Sequence, residues 1–218
     1  MKKLTTLATV LAFALSSNAM AAESASQSTS KVSVKPIVLM GYAFGGEDMG
    51  SLEYDDGTST DISAGGGFTL GGGLDLDLSN MDLGVEKDMG VRLTGNYHFD
   101  SATASNADVT FDRFEFSVMP YVQLNEKISV SAGISLHTGV EFTAEFDGQS
   151  DETLEFDGAT ALVAEFVYKY SDQLSWAVRA TSVDYEASTI NGRSLDGFDT
   201  DAISGSNVGA FMIYTINR

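Results

Sequence analysis

The chain has 218 residues, with 31 acidic side chains against 12 basic ones and no cysteine, for a formal net charge of −19. That balance excludes a nucleic-acid binder, which needs clustered Lys and Arg. The missing cysteine excludes both a disulfide framework and a thiolate metal centre.

Met1, Lys2 and Lys3 are followed by an apolar run from Leu4 to Leu15, then Ser16, Ser17, Asn18 and the tripeptide Ala19-Met20-Ala21. A basic start, a short apolar stretch and an Ala-x-Ala site predict a signal peptide over 1–21, cleaved before Ala22. The run is too short for a spanning helix, which needs about 20 residues. Residues 22–35 are Ser-rich and unpatterned, and are expected to form a flexible periplasmic leader ahead of a single domain over 36–218.

From Pro36 onward, eight alternating stretches are separated by turn residues: Ile37–Gly45, Phe68–Ser79, Met89–Asp100, Val109–Leu124, Ile128–Phe146, Gly158–Tyr170, Leu174–Ala187 and Ile203–Asn217. In the second, Phe68, Leu70, Leu74, Leu76 and Leu78 oppose Thr69, Gly71, Gly73, Asp75 and Asp77. In the third, Val91, Leu93, Gly95, Tyr97 and Phe99 oppose Arg92, Thr94, Asn96 and His98. The fifth is the longest, with Ile128, Val130, Ala132, Ile134, Leu136, Val140, Phe142 and Ala144 on one parity. Ser129, Ser131, Gly133, Ser135, His137, Glu141, Thr143 and Glu145 occupy the other. Period-two alternation gives each strand one apolar and one polar face.

These stretches exceed the usual 5 or 6 residues of a soluble strand and suit tilted membrane strands of about 9–11. The connections alternate too. Asn125-Glu126-Lys127 and Ser171-Asp172-Gln173 are tight turns, whereas residues 46–67, 100–108, 147–157 and 188–202 read as longer polar loops. Short periplasmic turns and long outer loops are the pattern of a membrane barrel, and an even strand count puts both termini on one side. The connection over 80–88 is long for a periplasmic turn. Phe44, Tyr97, Phe99, Tyr168, Tyr170, Trp176 and Tyr214 lie near strand ends, where aromatic girdles meet lipid headgroups. Pro120 lies inside the fourth stretch, close to the presumed periplasmic rim.

Two repeated hairpins, Met119 to Gly133 and Glu165 to Arg179, each join an aromatic strand end to a polar turn and a new alternating strand. On these the chain resembles the small outer-membrane barrels of OmpA-transmembrane-domain and OmpX type over about residues 36–218. The resemblance implies an all-β, eight-stranded, up-and-down transmembrane barrel. Asn207, Gly209, Met212 and Tyr214 in the last stretch look like the assembly signal of such proteins, although the chain continues to Ile216-Asn217-Arg218 instead of ending on an aromatic. The partners so implied are outer-membrane lipids, lipopolysaccharide and the outer-membrane assembly machinery.

The inward parity carries Asp75, Asp77, Arg92, Arg113, Glu115, Glu141, Glu165, Lys169 and Arg179. Charges at membrane depth must face a polar interior and pair there. Eight strands leave room for little more than side chains, so these residues are expected to plug the lumen. Three functions compete: a non-enzymatic barrel with a structural or surface role, a small porin-like channel gated by the same charges, and a lipid-modifying enzyme. The first leads.

Ser135, His137 and Glu141 share a parity but are spread over about 20 Å of strand, too far apart for one triad. Asp75-x-Asp77-x-Ser79 with Glu86 mimics a calcium loop without its glycine, and no cofactor or metal is expected there. The outer loops are acidic: Glu47, Asp48, Glu53, Asp55, Asp56 and Asp61 in the first, Asp147, Asp151, Glu152, Glu155 and Asp157 in the third, Asp196, Asp199 and Asp201 in the fourth. They offer carboxylates to divalent cations, against the plainer reading of a solvated, repulsive surface.

Overall fold

The computed structural model describes residues 32–54, 57–79, 88–148, 150–198 and 201–216. The expected signal peptide, most of the expected leader, and Asp55, Asp56, Glu86, Asp199 and Asn217 lie outside the described residues.

Eight long strands form the body: β1 (Ser33–Gly45), β2 (Gly67–Asp77), β3 (Met89–Thr103), β4 (Ala107–Asn125), β5 (Ile128–Phe146), β6 (Ala159–Lys169), β7 (Leu174–Ser182) and β8 (Asn207–Thr215). Each pairs antiparallel with its sequence neighbours. β8 returns to β1, with Leu39 opposite Ile213 and Tyr42 opposite Ala210, so the sheet closes on itself. The chain is an all-β, up-and-down barrel. Closure satisfies the backbone of every strand without a free edge, which is the condition for crossing a bilayer with strands.

The faces are reversed relative to a soluble barrel. Outward positions are apolar and exposed, as with Val38, Met40 and Tyr42 on β1, Phe116 and Val118 on β4, and Ile134 and Leu136 on β5, while Arg92, Asn96, Arg113 and Glu165 are buried inside. Along β4 the outward set runs from Phe114 through Phe116, Val118, Pro120 and Val122 to Leu124. Ten residue steps cover about 34 Å of strand, which a tilt of about 45° reduces to roughly 24 Å of height, close to the apolar band of a membrane barrel.

Aromatic rings bound this band. Near the loop end of β1 to β4, Tyr42 packs on Phe44, and Phe68, Phe99, Tyr97 and Phe114 form a second, continuous chain of ring contacts. Tyr168, Trp176 and Tyr214 are exposed near the turn end of β6 to β8, with Trp176 opposite both Tyr168 and Met212. Pro120 sits on the outward face of β4 opposite Val91, and the ladder to β5 passes over it, from Val118 opposite Ile134 to Tyr121 opposite Ser131.

Several boundaries differ from the sequence expectation. Ser33–Lys35 belong to β1, paired with Asp75–Asp77, because the turn end of β2 offers ladder partners to residues with no pattern of their own. The expected loop over 100–108 shrinks to residues 104–106, since β3 and β4 continue past the membrane. β7 stops at Ser182 and β8 starts at Asn207. The residues between them form short strands at Asp184–Tyr185, Ala187–Ile190, Arg193–Ser194 and Ile203–Ser204. The first loop is a hairpin of Asp48–Glu53 with Ser59–Ser63.

β5 carries one residue more than β4 between the pairs Phe114 opposite Thr138 and Asp112 opposite Glu141. Gly139 absorbs it with φ +58, a left-handed conformation. The bulge switches the parity of everything beyond it. Val140 and Ala144 turn inward and are buried, so the single apolar parity expected along β5 is two faces joined at a bulge. Here β5 also changes partner, from β6 to the strand Glu152–Phe156, which with Ala187–Ile190 and Arg193–Ser194 carries the sheet beyond the barrel as a head at its loop end. Gly139→Val should cost about 1–2 kcal/mol, the strain of a left-handed β-branched residue. A lowered urea midpoint for the barrel refolded into vesicles would show it, and an unchanged midpoint would mean the bulge can relax.

Candidate functional site

The lumen is filled in layers, starting at the turn end with a vestibule of about 120 Å³. Lys35, Asp77 and Lys169 stand at its mouth, and its walls reach Asp75, Arg92 and Tyr121. Lys169 pairs with Asp172 of the β6–β7 turn at 2.9 Å, both largely exposed, and Lys35 approaches Asp77 at 3.9 Å. The Lys169 ammonium, hydrogen-bonded to the exposed Asp172, holds that carboxyl below its ordinary range.

Above the vestibule lies the first buried network. Glu165 on β6 accepts hydrogen bonds from two guanidiniums, Arg92 of β3 on one carboxylate oxygen and Arg179 of β7 on the other, the latter at 2.7 and 2.9 Å. Arg92 also donates to Asp75 at 3.3 Å, and the Tyr121 hydroxyl donates to the second oxygen of Asp75 at 2.7 Å. Arg179 lies over the Phe211 ring at 4.7 Å, and Arg92 over Tyr121 at 5.6 Å. Alternation places these groups. Asp75 and Arg92 are direct cross-strand neighbours, as are Arg179 and Glu165, and the closed ring brings the two pairs face to face across the lumen. Beside them Ile37, Leu39, Val167, Ala177, Phe211 and Ile213 fill the β1 and β6–β8 side with an apolar cluster.

A thinner layer of hydroxyl and amide groups follows, in which Ser117 donates to Ser135 at 2.9 Å and Thr94 and Asn96 are buried. The second ionic network is built on Arg113, which is fully buried. Its Nε donates to Glu115 at 3.0 Å, and its guanidinium also lies 3.1 Å from His98 Nδ1. His98 Nδ1 is likewise 3.1 Å from Glu115 and from the Thr69 hydroxyl. His137 Nδ1 shares a 2.7 Å hydrogen bond with the Tyr185 hydroxyl, and its Nε2 is 4.0 Å from Glu115. Over this network Phe111, Val140, Phe156, Tyr185, Ile62 and Leu52 close an apolar cap, with Tyr185 packed on Phe111 and Phe156. Burial raises the Tyr185 phenol above its ordinary value, so it remains a neutral hydrogen-bonding group.

Of the nine charges expected to line the lumen, Asp75, Arg92, Arg113, Glu115, Glu165 and Arg179 form the two networks. Asp77 and Lys169 stand at the mouth. Glu141 is a correction: it lies beyond the bulge on the outward face, opposite Asp112 and Glu155, and accepts a hydrogen bond from Thr143 at 2.9 Å. The same shift separates it from Ser135 and His137, both engaged in buried hydrogen bonds.

Asp75 is occupied by Tyr121 and Arg92, and Asp77 by Lys35 and the Ser79 amide, which accounts for the two carboxylates of the calcium-like spacing. Among the described residues no group of three or more His, Cys, Asp or Glu could hold a metal ion. Sequence reasoning misses Tyr121 and Tyr185. Tyr121 shares the inward parity of Glu115, Ser117 and Met119, a signal that could have found it, whereas Tyr185 comes from a loop segment that alternation assigns to a strand. In β8, Asn207 is buried and faces inward with Gly209, while Tyr214 is exposed to the outside beside Met212.

A closed eight-stranded barrel with an apolar exterior band, aromatic girdles and a charged, internally paired interior defines a transmembrane β-barrel of the outer-membrane type. No protein-family model and no curated protein matches the chain. Among solved structures it is similar to Ail, the attachment invasion locus protein of Yersinia pestis, in complex with the heparin analogue sucrose octasulfate. That likeness has a TM-score of 0.44 at 14% identity and covers 84% of this chain and 99% of that one. It is also similar to Neisserial surface protein A, with a TM-score of 0.42, 12% identity and coverage of 87% and 100%. A major outer membrane protein from Thermus thermophilus gives 0.42, 12%, 84% and 100%.

Removing Glu165 leaves two buried guanidiniums without their shared carboxylate. Glu165→Ala should destabilise the barrel by about 3–5 kcal/mol, the usual result of breaking a buried ion pair from one side. Urea unfolding in vesicles reads the difference, and a loss below about 1 kcal/mol, the range of exposed pairs, would show that the triad is hydrated.

Proposed function

We propose that the protein is a non-conducting outer-membrane barrel whose role is structural or a surface interaction, exercised through the head that stands outside the bilayer. The observation that carries this reading is the filling of the lumen by two ion-paired networks and an apolar cap. A solute path would have to break the Arg92–Glu165–Arg179 bridge, strip Glu115 from Arg113 and lift Tyr185. Uncompensated buried charge makes each of the first two steps costly.

The head supports the surface role. It carries its own apolar core, so its carboxylates are held on packed strands. Arg193 is the one basic residue among the described residues of the long connections between barrel strands on that side. Divalent cations bridging those carboxylates to lipopolysaccharide phosphates are the partners such a surface would use. The reading extends to export through the signal peptide over 1–21 and to insertion by the assembly machinery through Asn207, Gly209, Met212 and Tyr214 on the strand that closes the barrel. It assigns no enzymatic step to the chain.

Two measurements test it. In cell fractionation the mature chain should be found in the outer membrane and should change gel mobility on heating; recovery in the periplasmic extract would contradict the membrane placement. In planar bilayers the purified barrel should give no steady steps. Regular single-channel steps altered by reversing the charge at Arg92 would establish the channel instead.

A further inference from the structure

Both of the chain's histidines lie in one place. His98 and His137, on β3 and β5, are each no more than 2% exposed, and both face the same Arg113–Glu115 pair on β4. The cluster also grips the extracellular segments from below. Arg113 Nη1 donates to the Ala64 carbonyl at 3.0 Å, and His98 Nε2 donates to the Gly66 carbonyl at 2.7 Å, which fixes the end of the first loop. His137 holds the Tyr185 hydroxyl, and the strand Asp184–Tyr185 pairs in turn with Ile203–Ser204 of the last loop. The two loops meet above, where the Glu47 amide donates to the Ser204 carbonyl at 2.7 Å.

We propose that the Arg113–Glu115–His98–His137 cluster is a latch that holds the extracellular head against the barrel from inside, and that acidification releases it. The Arg113 guanidinium and the Glu115 carboxylate balance one another, and His98 Nδ1 stands 3.1 Å from that carboxylate. Imidazole is the side chain whose ordinary protonation range lies nearest neutrality. A proton added at His137 places another positive charge beside Arg113, with the Glu115 carboxylate 4.0 Å away. The titratable and charged groups around His137 are Glu115 and Arg113 of β4, His98 of β3 and Tyr185 of the last loop. Those around His98 are Glu115, Arg113 and His137, while Asp100 on its own strand holds the Ser63 amide. The cluster is covered by the apolar cap, so solvent can reach the added charge only if the cap lifts. Buried histidines that must charge are a general source of acid destabilisation.

At the rim Asp112, Glu141 and Glu155 lie directly opposite one another across three strands, and like charges so placed disfavour the sheet. Surface charge of this sign supplies no loosening on acidification, so a loosening is read from His137.

Hydrogen exchange of the mature barrel in phospholipid nanodiscs, corrected for the intrinsic pH dependence of exchange, tests the latch. Between about pH 7.5 and pH 4.5, protection at Ala64, Gly66, Tyr185 and Gly205 should fall by about tenfold or more, while β6 to β8 and the fluorescence of the single Trp176 stay constant; tenfold corresponds to about 1.4 kcal/mol. In the H98Q/H137Q double variant the same amides should show no such fall. Unchanged protection in the wild type, or an equal fall in the double variant, overturns the proposal. Should the double variant not fold, Tyr185→Phe replaces it. It should lower protection around 183–185 and 203–205 at neutral pH while leaving Ala64 and Gly66 protected, and a uniform loss in both loops, or none in either, would overturn the latch.

Discussion

Glu165 accepting hydrogen bonds from Arg92 and Arg179 is the interaction on which the interior depends. A barrel that turns much of its apolar surface to lipid has less of it left to fill its own lumen. The part of the lumen filled by polar groups is tolerated only where those groups, removed from water, are paired. One carboxylate between two guanidiniums, with Asp75 accepting from both Arg92 and Tyr121, goes most of the way to that condition across five strands, and only the Arg92 Nε is left without a partner among these groups. The same logic recurs one layer higher in Arg113, Glu115 and the two histidines.

The division of the lumen follows from strand composition. β2 to β5 contribute Thr69, Arg92, Asn96, Arg113, Glu115 and Ser135 inward, whereas β1 and β8 contribute Ile37, Leu39, Phe211 and Ile213. The interior is therefore half network and half apolar packing, with Arg179 over Phe211 joining the two. Above the membrane the ordinary arrangement returns. Beyond the Gly139 bulge apolar residues point in and carboxylates point out, as in a soluble sheet, and this lets the head pack a core of its own on the barrel rim.

Alternation makes most of the barrel legible, because a two-residue period with a charged inner parity leaves few architectures open. The eight strands, the closing pair and six of the nine lumen charges follow from it directly. It fails where the period is interrupted. A parity count places Glu141 inward because a single added residue is invisible to it, although Gly139 between Thr138 and Val140 marks the place. Tyr185 is hidden for another reason: its role is set by a loop folding back over the rim, a tertiary fact that no local pattern encodes. The strand character of Ser33–Lys35 is likewise supplied by the partner strand.

If the proposed function is right, the two charge networks and the cap together close the lumen. The most direct test is the ion permeability of vesicles containing the barrel, compared with vesicles containing the triple variant Glu115→Ala/Glu165→Ala/Tyr185→Ala, in which all three barriers are removed. The wild type should be as tight as lipid alone, and the triple variant should leak, because the unpaired guanidiniums draw water into a lumen that the cap no longer covers. A wild-type barrel that conducts ions steadily, with the triple variant no different, would contradict that closure.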